Sequence, residues 1–144
     1  MSDTKSSNVH VAAAIIARDG KILACRRSDR PAPGGWELPG SKVRDGEAAQ
    51  DACLREVDEE LGLGLGTTFY YDTVESDIDD GRHMTMDCFV CELAADAEPE
   101  ARVHDEFRWL PQADLLSVEW LPADRSVVTG LGVMWNQIFS AEHL

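Results

Sequence analysis

Three glutamates in one segment are spaced so that their carboxylates could bind a cation. Glu56, Glu59 and Glu60 stand at i, i+3 and i+4, and the apolar residues around them predict a helix over 47–61. On a helix this spacing brings the three side chains to one face, within about 6 Å of each other. Their repulsion destabilises the helix by roughly a few tenths of a kcal/mol for an i,i+4 pair. A cation such as Mg²⁺ would relieve it, because Mg²⁺ takes carboxylate oxygens and keeps waters for a phosphate-bearing ligand.

The charges beside these glutamates leave two interpretations open. Arg55 can pair with Glu59 at i,i+4, and Glu47 would lie in the first turn, where a negative charge favours the helix dipole. Asp58 falls on a different face and is expected to be solvated. The chain carries 27 acidic and 13 basic residues, a formal net charge of −14, so acidic helix faces also arise by chance. The glutamates alone therefore indicate either a metal site or a solvated acidic face.

The length and composition of the chain restrict its class. With 144 residues, of which 44% are apolar, it is long enough for one domain with a buried core. No apolar run reaches the roughly 18 residues of a membrane span, and residues 1–8 are too polar for a secretory signal. The net charge disfavours nucleic-acid polymers and anionic membranes as partners, because both bind cationic surfaces. An anionic ligand would need a divalent cation to recruit it.

The four cysteines predict neither a disulfide framework nor a zinc site. Cys25, Cys53, Cys88 and Cys91 are scattered through apolar segments. Cys88 and Cys91 have CxxC spacing, but residues three apart in an alternating, strand-like run point to opposite faces. We expect buried thiols and a cytoplasmic protein.

The apolar pattern predicts an α/β fold with a mixed sheet packed between helices. Strands are predicted at 9–17, 22–25, 36–38, 67–75, 83–93 and 107–110, loops at 30–35 and 77–81, a helical turn at 112–116, and an amphipathic helix through 127–139. Gly62 is the expected C-cap of the helix over 47–61. The glycine-rich 61–66 is predicted to be a linker, because it closes a helix instead of opening one. Residues 1–8 are expected to form a flexible tail and 9–141 a single domain.

Residues 41–63 resemble the signature of the Nudix hydrolases, Gly-x5-Glu-x7-Arg-Glu-U-x-Glu-Glu-x-Gly-U, where U is aliphatic. Eight of the nine specified positions agree, beginning with Glu47. The departure is Ser41, where the signature has its first glycine. If that backbone position needs a positive φ, a serine there costs on the order of 1 kcal/mol and could shift the loop.

The resemblance to the Nudix family extends over nearly the whole chain and favours its MutT-like branch. The segments that carry it are Cys25-Arg26-Arg27, Trp36-Glu37-Leu38-Pro39-Gly40, Arg82-His83 and Trp120-Leu121-Pro122-Ala123-Asp124-Arg125. Within that branch the chain looks nearest to members that act on canonical, methylated or oxidised nucleoside triphosphates, notably the CTP pyrophosphohydrolases. The resemblance implies a Nudix-type α/β/α sandwich around a mixed sheet, in agreement with the predicted order of elements.

The resemblance also implies roles for individual residues. The implied metal ligands are the Gly40 carbonyl, Glu56, Glu59 and Glu60, with Mg²⁺ as the cofactor and Mn²⁺ as an alternative. Glu56 would also be the catalytic base, acting together with Glu59 and Arg55. Glu47 and Arg55 would orient the cluster, and Arg27 would hold phosphate.

Two further points of the resemblance stay open in the sequence. Related enzymes have another carboxylate in a loop before the last strand. The aligned position here is Val103, with His104, Asp105 and Glu106 beside it, so that carboxylate is not assigned. Arg26 alternates with Arg27 along a strand, and only one of the two is expected to face the phosphates.

Asp124 has two candidate roles, which can coexist. As an N-cap, its carboxylate would accept from the first amides of the C-terminal helix, a contribution of ~1 kcal/mol. Its position also matches the base-reading residue of the MutT-like branch, where a carboxylate could accept from the cytosine N4 amino group or the N1–H and N2–H₂ edge of guanine. Arg82 and His83 are further candidates for the base pocket, and His83 is equally explained as a polar residue at a strand edge.

The activity that the resemblance implies is hydrolysis of a nucleoside triphosphate to the monophosphate and pyrophosphate. Candidate substrates are CTP, dCTP, 5-methyl-dCTP and oxidised dGTP, with a water activated by the metal and Glu56 accepting its proton. One alternative is a Nudix hydrolase of nucleotide sugars, ADP-ribose or dinucleoside polyphosphates, and another is a non-catalytic nucleotide-binding domain. The expected partner is the small nucleotide alone, with no nucleic-acid polymer and no membrane, in a monomer or a homodimer.

Overall fold

The fold was determined as a computed structural model that describes residues 8–27, 35–78, 81–93 and 96–139. The strands are β1 (Asn8–Arg18), β2 (Lys21–Arg26), β3 (Trp36–Glu37), β4 (Gly40–Lys42), β5 (Thr68–Asp77), β6 (His83–Glu92) and β7 (Glu106–Pro111). The helices are α1 (Ala49–Leu61), α2 (Pro122–Val133) and α3 (Trp135–Ile138), with a 3₁₀ turn at Gln112–Asp114. The six predicted strands are all present, and β4 is an additional short strand.

Several predictions fall partly on residues outside the described ranges. The predicted tail lies outside them except for Asn8, which belongs to β1 and not to a tail. The predicted loop at 30–35, the centre of the turn at 77–81 and the last residues of the predicted domain also lie outside them. Within the described ranges no helix has both the length and the apolar character needed to cross a membrane.

The central strand β1 pairs with different neighbours along its length, and this opens a cleft in the sheet. β1 runs parallel to β6 from Asn8 to Ala17, and β6 pairs antiparallel with β5. β1 meets β2 only at the hairpin end, through Ala17↔Ile22 and Arg18↔Lys21, while β4 occupies its other half. β2 continues against β3 and β7 instead. β3 and β4 are adjacent in the chain yet join different halves of the sheet, so the residues between them lie at the opening.

Two apolar cores cover the two faces of the sheet. Alternate residues of β1 divide between them, with Ala13 and Ile15 in one core and Ala12, Ala14 and Ile16 in the other, as the period of two in a strand requires. Helix α1 packs on the second face through an apolar group that consists of Ala52, Cys53, Val57 and Leu61. Helix α2 covers the first face with Val127, Val128 and Leu131. The predicted α/β/α sandwich is confirmed.

The helix boundaries differ from the prediction in two places. Helix α1 begins at Ala49, two residues after the predicted start, and ends as expected at Gly62, whose φ of 68° is left-handed. The predicted C-terminal helix begins earlier, at Pro122, and is interrupted at Met134. The interruption turns Trp135 back into the core against Phe139, with ring centroids 4.5 Å apart.

The four cysteines are free thiols and all are buried, as predicted. Cys88 lies in the core under α2 and Cys91 in the core under α1, so the CxxC pair does point to opposite faces. Cys91 instead lies beside Cys53 of α1, with their Sγ atoms 4.0 Å apart. The cysteines therefore contribute to the two cores.

Candidate active site

Glu56 and Glu60 form a crowded pair of carboxylates on the inner side of α1. Glu56 is only 4% exposed, and its Oε2 has no hydrogen-bond partner within the described ranges. Burial and the neighbouring Glu56 raise the pKa of the half-buried Glu60 to about 8. A helix turned so that two acidic side chains face inward is unfavourable unless something positive joins them. Arg55 Nη1 lies 3.8 Å from Glu56 Oε1, but the pKa of Glu60 stays raised, so a further cation beside the pair would favour ionisation of both carboxylates.

Arg55 ties the third signature glutamate to the segment before the helix. Its guanidinium makes a bidentate pair with Glu47, with Nε 2.9 Å from Oε2 and Nη2 3.0 Å from Oε1, and its Nη1 lies 3.3 Å from Glu59 Oε1. Glu47 also accepts from the Arg44 amide at 3.0 Å. The hydrogen bonds from Arg55 and Arg44 lower the pKa of Glu47 to about 2. Because α1 begins only at Ala49, the prediction that Glu47 acts within the first helical turn is wrong, and its contact is with Arg55 instead.

Replacing Glu47 with Gln is expected to lower turnover by on the order of tenfold, because Arg55 and through it Glu59 lose their orientation. Steady-state kinetics at saturating metal measure this, with Asp51→Asn as the control, an exposed acidic residue in the first turn of α1. The stabilising contact itself is fully present above the ordinary carboxyl pKa and is lost only as pH falls towards 2. Equal kinetics in the two variants, or an acid unfolding profile that Glu47→Gln leaves unchanged, would contradict this role.

Gly40 places its backbone against β1 at a position that no side chain could occupy. A Cβ atom there would lie 2.5 Å from the Ala12 carbonyl oxygen and 3.0 Å from Ala13 Cα. The next residue, Ser41, pairs with Ala12 and is not among the residues with a positive φ. The strain considered for Ser41 is therefore absent, because this part of β4 is ordinary extended backbone. The residue that needs to be glycine is Gly40.

We expect Gly40→Ala to destabilise the fold by on the order of 1–3 kcal/mol and to lower turnover, because β4 must move away from β1 to accommodate the methyl group. Chemical denaturation and kinetics of the purified variant measure both effects. Gly64→Ala is the matched control, since a Cβ at Gly64 meets nothing within 4 Å. A Gly40→Ala protein as stable and active as Gly64→Ala would show that the close approach is unimportant.

The carboxylates do not form a preformed metal cage, yet their chemistry suits a hard divalent cation. Within the described part of the chain no three His, Cys, Asp or Glu side chains converge at ligand distances. Glu59 is half exposed and points towards Arg55 and Arg44, 3.3 and 3.9 Å away. The unpartnered Oε2 of Glu56, the adjacent Glu60 and the carbonyl of Gly40 are oxygen donors of the kind Mg²⁺ and Mn²⁺ prefer. The residues present therefore fit such an ion.

The two arginines at the end of β2 have different neighbours. Arg26 pairs with Asp105 at 3.8 Å, on the side away from α1. Arg27 is close enough to Glu60 for its positive charge to oppose the rise in the pKa of that carboxyl. Arg27 is thus the arginine beside the acidic pair.

A cavity of about 530 Å³ adjoins the acidic pair on the α2 side of the sheet. Its apolar wall comes from alternate residues of β1 and β6, namely Val11, Ala13, Met84 and Met86, and its other walls come from Glu37–Lys42, Ser76–Ile78 and Leu121–Asp124. Glu37 lies in this wall and is close enough to Glu60 for its charge to raise the pKa of that carboxyl, so the cavity and the carboxylates share a border. A volume of this size holds a small organic ligand.

Asp124 is a buried carboxylate of this cavity and not an N-cap. The N-cap of α2 is Leu121, and Asp124 lies inside the first turn, where it is 7% exposed. Its Oδ1 accepts a hydrogen bond from the Leu38 amide at 3.0 Å. The N-cap interpretation is therefore wrong, because Leu121 holds the N-cap position and Asp124 bonds across the cavity to the segment after β3.

Arg82 and His83 do not line the cavity, although each contacts a residue of its wall, Ile78 and Asp77 respectively. His83 lies between two carboxylates, with Nε2 2.6 Å from Glu75 and Nδ1 3.1 Å from Asp77, and these contacts raise its pKa. Neither Arg82 nor His83 is among the cavity-lining residues of the described ranges. The contacts of His83 match the alternative of a polar residue at a strand edge.

Two buried residues were missed by the sequence analysis. The loop before β7 turns His104 inward, while Val103 is exposed and Asp105 and Glu106 pair with surface arginines. His104 Nε2 lies 2.9 Å from Oε2 of Glu37, a cavity residue that is 7% exposed. The sequence offered one signal, namely a glutamate between tryptophan and leucine in the strand predicted at 36–38.

Comparison with known proteins agrees with this geometry. A family profile described as the NUDIX domain matches residues 7–131. A Mycobacterium tuberculosis protein named "Putative 8-oxo-dGTP diphosphatase 2" is 38% identical over 130 residues, 90% of this chain and 92% of its own length. The Escherichia coli CTP pyrophosphohydrolase is 46% identical over 56 residues, only 38% of this chain and 42% of its own. The crystal structure of a MutT NUDIX hydrolase from Burkholderia pseudomallei superposes with a TM-score of 0.73 at 30% identity, covering 85% of this chain and 96% of that one. The chain is a member of the Nudix hydrolase family.

Proposed function

We propose that this protein hydrolyses a nucleoside triphosphate to the nucleoside monophosphate and pyrophosphate, with Mg²⁺ or Mn²⁺ as the cofactor. The observation that carries the proposal is the shared border between the Glu56–Glu60 pair and a cavity that contains the buried carboxylate of Asp124. One end of this arrangement suits a cation and phosphates, and the other suits a base. A nucleoside triphosphate has both parts joined through a sugar.

Different residues of the chain would have different roles in this reaction. A bound divalent cation would neutralise phosphate charge and lower the pKa of an attacking water. Glu56 would accept the proton of that water, because its Oε2 is buried and has no partner within the described ranges. Arg27 would hold a phosphate oxygen, and Arg55 would orient Glu59 through the contacts it already makes. Attack on a bridging phosphoryl group then releases pyrophosphate.

Asp124 would recognise the base. An ionised carboxylate only accepts hydrogen bonds, so it selects a base edge that donates, such as the N4 amino group of cytosine or N1–H and N2–H₂ of guanine. The methionines and valine of the cavity wall provide an apolar surface for the ring. The names of the relatives, 8-oxo-dGTP diphosphatase and CTP pyrophosphohydrolase, support the same two bases. We propose CTP, dCTP, 5-methyl-dCTP and oxidised dGTP as the substrates to test.

The net charge and the free cysteines of the chain support a proposal for its partner and its compartment. A formal net charge of −14 suits a small nucleotide partner and neither nucleic acid nor an anionic membrane. The free, buried thiols suit the reducing cytoplasm. A monomer and a homodimer are both compatible with this function.

One incubation tests the proposal. The pure protein is mixed with Mg²⁺ or Mn²⁺ and each of the four candidate triphosphates, alongside ADP-ribose, a nucleotide sugar and a dinucleoside polyphosphate. The proposal predicts metal-dependent release of pyrophosphate and monophosphate from at least one triphosphate, and none with EDTA. Hydrolysis confined to ADP-ribose, the nucleotide sugar or the dinucleoside polyphosphate would support the alternative of a Nudix hydrolase of those compounds. No turnover of any compound would favour a non-catalytic domain.

A further inference from the structure

Glu37 is a buried carboxylate of the cleft that the proposed chemistry leaves without a role. It is 7% exposed, lies in β3 opposite Cys25 and lines the same cavity as Asp124. A buried carboxylate is costly unless it is hydrogen-bonded. Here its Oε2 lies 2.9 Å from Nε2 of His104.

His104 is a buried histidine whose Nε2 lies beside the Glu37 carboxylate. The residue is 2% exposed, and its ring packs edge-on against Phe107 at 6.1 Å. Its Nδ1 has no hydrogen-bond partner in the part of the chain that the structure describes. The loop that carries it is held to β2 by the Asp105 amide, which donates to the Arg26 carbonyl at 2.9 Å. The loop thus presents an imidazole to Glu37, where the resemblance led us to look for a carboxylate.

Glu37 lies between the two ends of the proposed substrate site. The amide of the next residue, Leu38, is bound by Asp124, and Glu37 itself is close enough to Glu60 for its charge to raise the pKa of that carboxyl. Burial, followed by the nearby charges of Glu37, Glu60 and Asp124, raises the pKa of the Cys25 thiol. Glu37, Glu60 and Asp124 therefore all lie near the buried Cys25 thiol, with Glu37 in the segment that joins the base end to the phosphate end.

If the proposed function holds, the part of the nucleotide that spans this interval is the sugar. The sugar carries no charge, and its hydroxyl groups are its only strong hydrogen-bond donors. We propose that Glu37 accepts a hydrogen bond from a sugar hydroxyl of the nucleotide and that His104 is a positioning residue that holds the Glu37 carboxylate for this contact. With Oε2 fixed by His104, the orientation of the carboxylate is set before the substrate arrives.

Sugar-modified nucleotides test this contact in the wild-type protein first. The substrates are CTP, dCTP, 3′-deoxy-CTP and 2′,3′-dideoxy-CTP, or the same series on guanine if that base is turned over faster. Loss of the contacted hydroxyl is expected to lower kcat/KM by about 10- to 100-fold, because the buried carboxylate then loses a charge-assisted hydrogen bond. The comparison of 2′- and 3′-deoxy compounds shows which hydroxyl is bound. Equal kcat/KM for all four would overturn the proposal without any variant.

The Glu37→Ala variant tests whether Glu37 is the residue that discriminates between the sugars. The variant is expected to treat the four sugars within about twofold of each other, while Glu119→Ala, an exposed glutamate near the same wall, keeps the wild-type ratios. Full discrimination in a folded Glu37→Ala protein would overturn the proposal. If that variant does not fold, the kinetics of the wild-type protein on the four sugar-modified nucleotides still show whether the protein binds a sugar hydroxyl.

His104 variants separate positioning from general support of the fold. His104→Ala is expected to raise KM for the hydroxyl-bearing substrate and to reduce the sugar discrimination, and His104→Gln is expected to restore part of it through its amide N–H. A uniform loss of kcat on all four sugars would mean that His104 only supports the structure. Failure of the proposed function would appear differently, as no hydrolysis of any triphosphate, whereas failure of this inference appears as hydrolysis that ignores the sugar.

Discussion

Glu60→Gln is expected to abolish metal-dependent turnover, by on the order of 10³-fold or more, while the metal-free protein becomes more stable at pH 8. Turnover falls because an oxygen donor with its charge leaves the site. Stability rises because the folded state holds Glu60 at a raised pKa of about 8, so its ionisation opposes folding as pH rises from the ordinary carboxyl range towards that value. Glutamine carries no charge to bury.

Kinetics and thermal unfolding of the same preparation measure both effects. Glu59→Gln is expected to lose activity as well, but without the gain in stability, because Glu59 is half exposed and paired with Arg55. Asp58→Asn is the matched control, an exposed acidic side chain on the same helix. Retention of most of the activity in either glutamine variant would be fatal to the proposed metal site.

Asp124→Ala is expected to remove the preference between bases, with a loss of on the order of 10²-fold for the best substrate and smaller losses for the others. The expected stability cost is about 1–3 kcal/mol, because the Leu38 amide loses its buried acceptor. Asp124→Asn separates the two effects, since an amide oxygen can still accept from Leu38 while the adjacent NH₂ donates where the carboxylate accepted.

The assay compares CTP, dCTP, 5-methyl-dCTP and oxidised dGTP in wild type and both variants. Asp114→Asn, an exposed residue of the 3₁₀ turn, controls for the loss of one negative charge. A uniform, small loss on all four nucleotides in Asp124→Ala would show that the residue only joins α2 to the segment after β3. Such a result would not affect the proposed metal site, but it would contradict the role of Asp124 in base recognition.

The strands and their order along the chain were predictable because each depends on a local pattern, either alternation or a short continuous apolar run. β1 and β6 carry apolar residues on both faces, and both faces are covered by helices. The break at Met134 was not predictable, because apolar residues continue at helical spacing on both sides of it. Met134 departs there from helical geometry, with φ −93° and ψ 8°, and the short helix α3 begins at the next residue.

The candidate site was predictable where the residues are close in sequence and not where they are brought together by the fold. Glu56 and Glu60 share an inner face because of helix geometry alone, and the pair of Arg55 with Glu59 predicted at i,i+4 is present. Asp124 was correctly placed near a helix start, yet its partner is Leu38, 86 residues away. The Glu37–His104 contact spans 67 residues, and no local pattern reports such a pairing.

The measurement that tests the central claim most directly is a Mn²⁺ titration in the presence of a non-hydrolysable nucleoside triphosphate, followed by electron paramagnetic resonance. The crowded carboxylates of α1 should bind the ion in wild type and in Asp58→Asn, and Glu60→Gln should lose that binding. Identical titrations for wild type and Glu60→Gln, or no bound ion in any of the three proteins, would contradict the account.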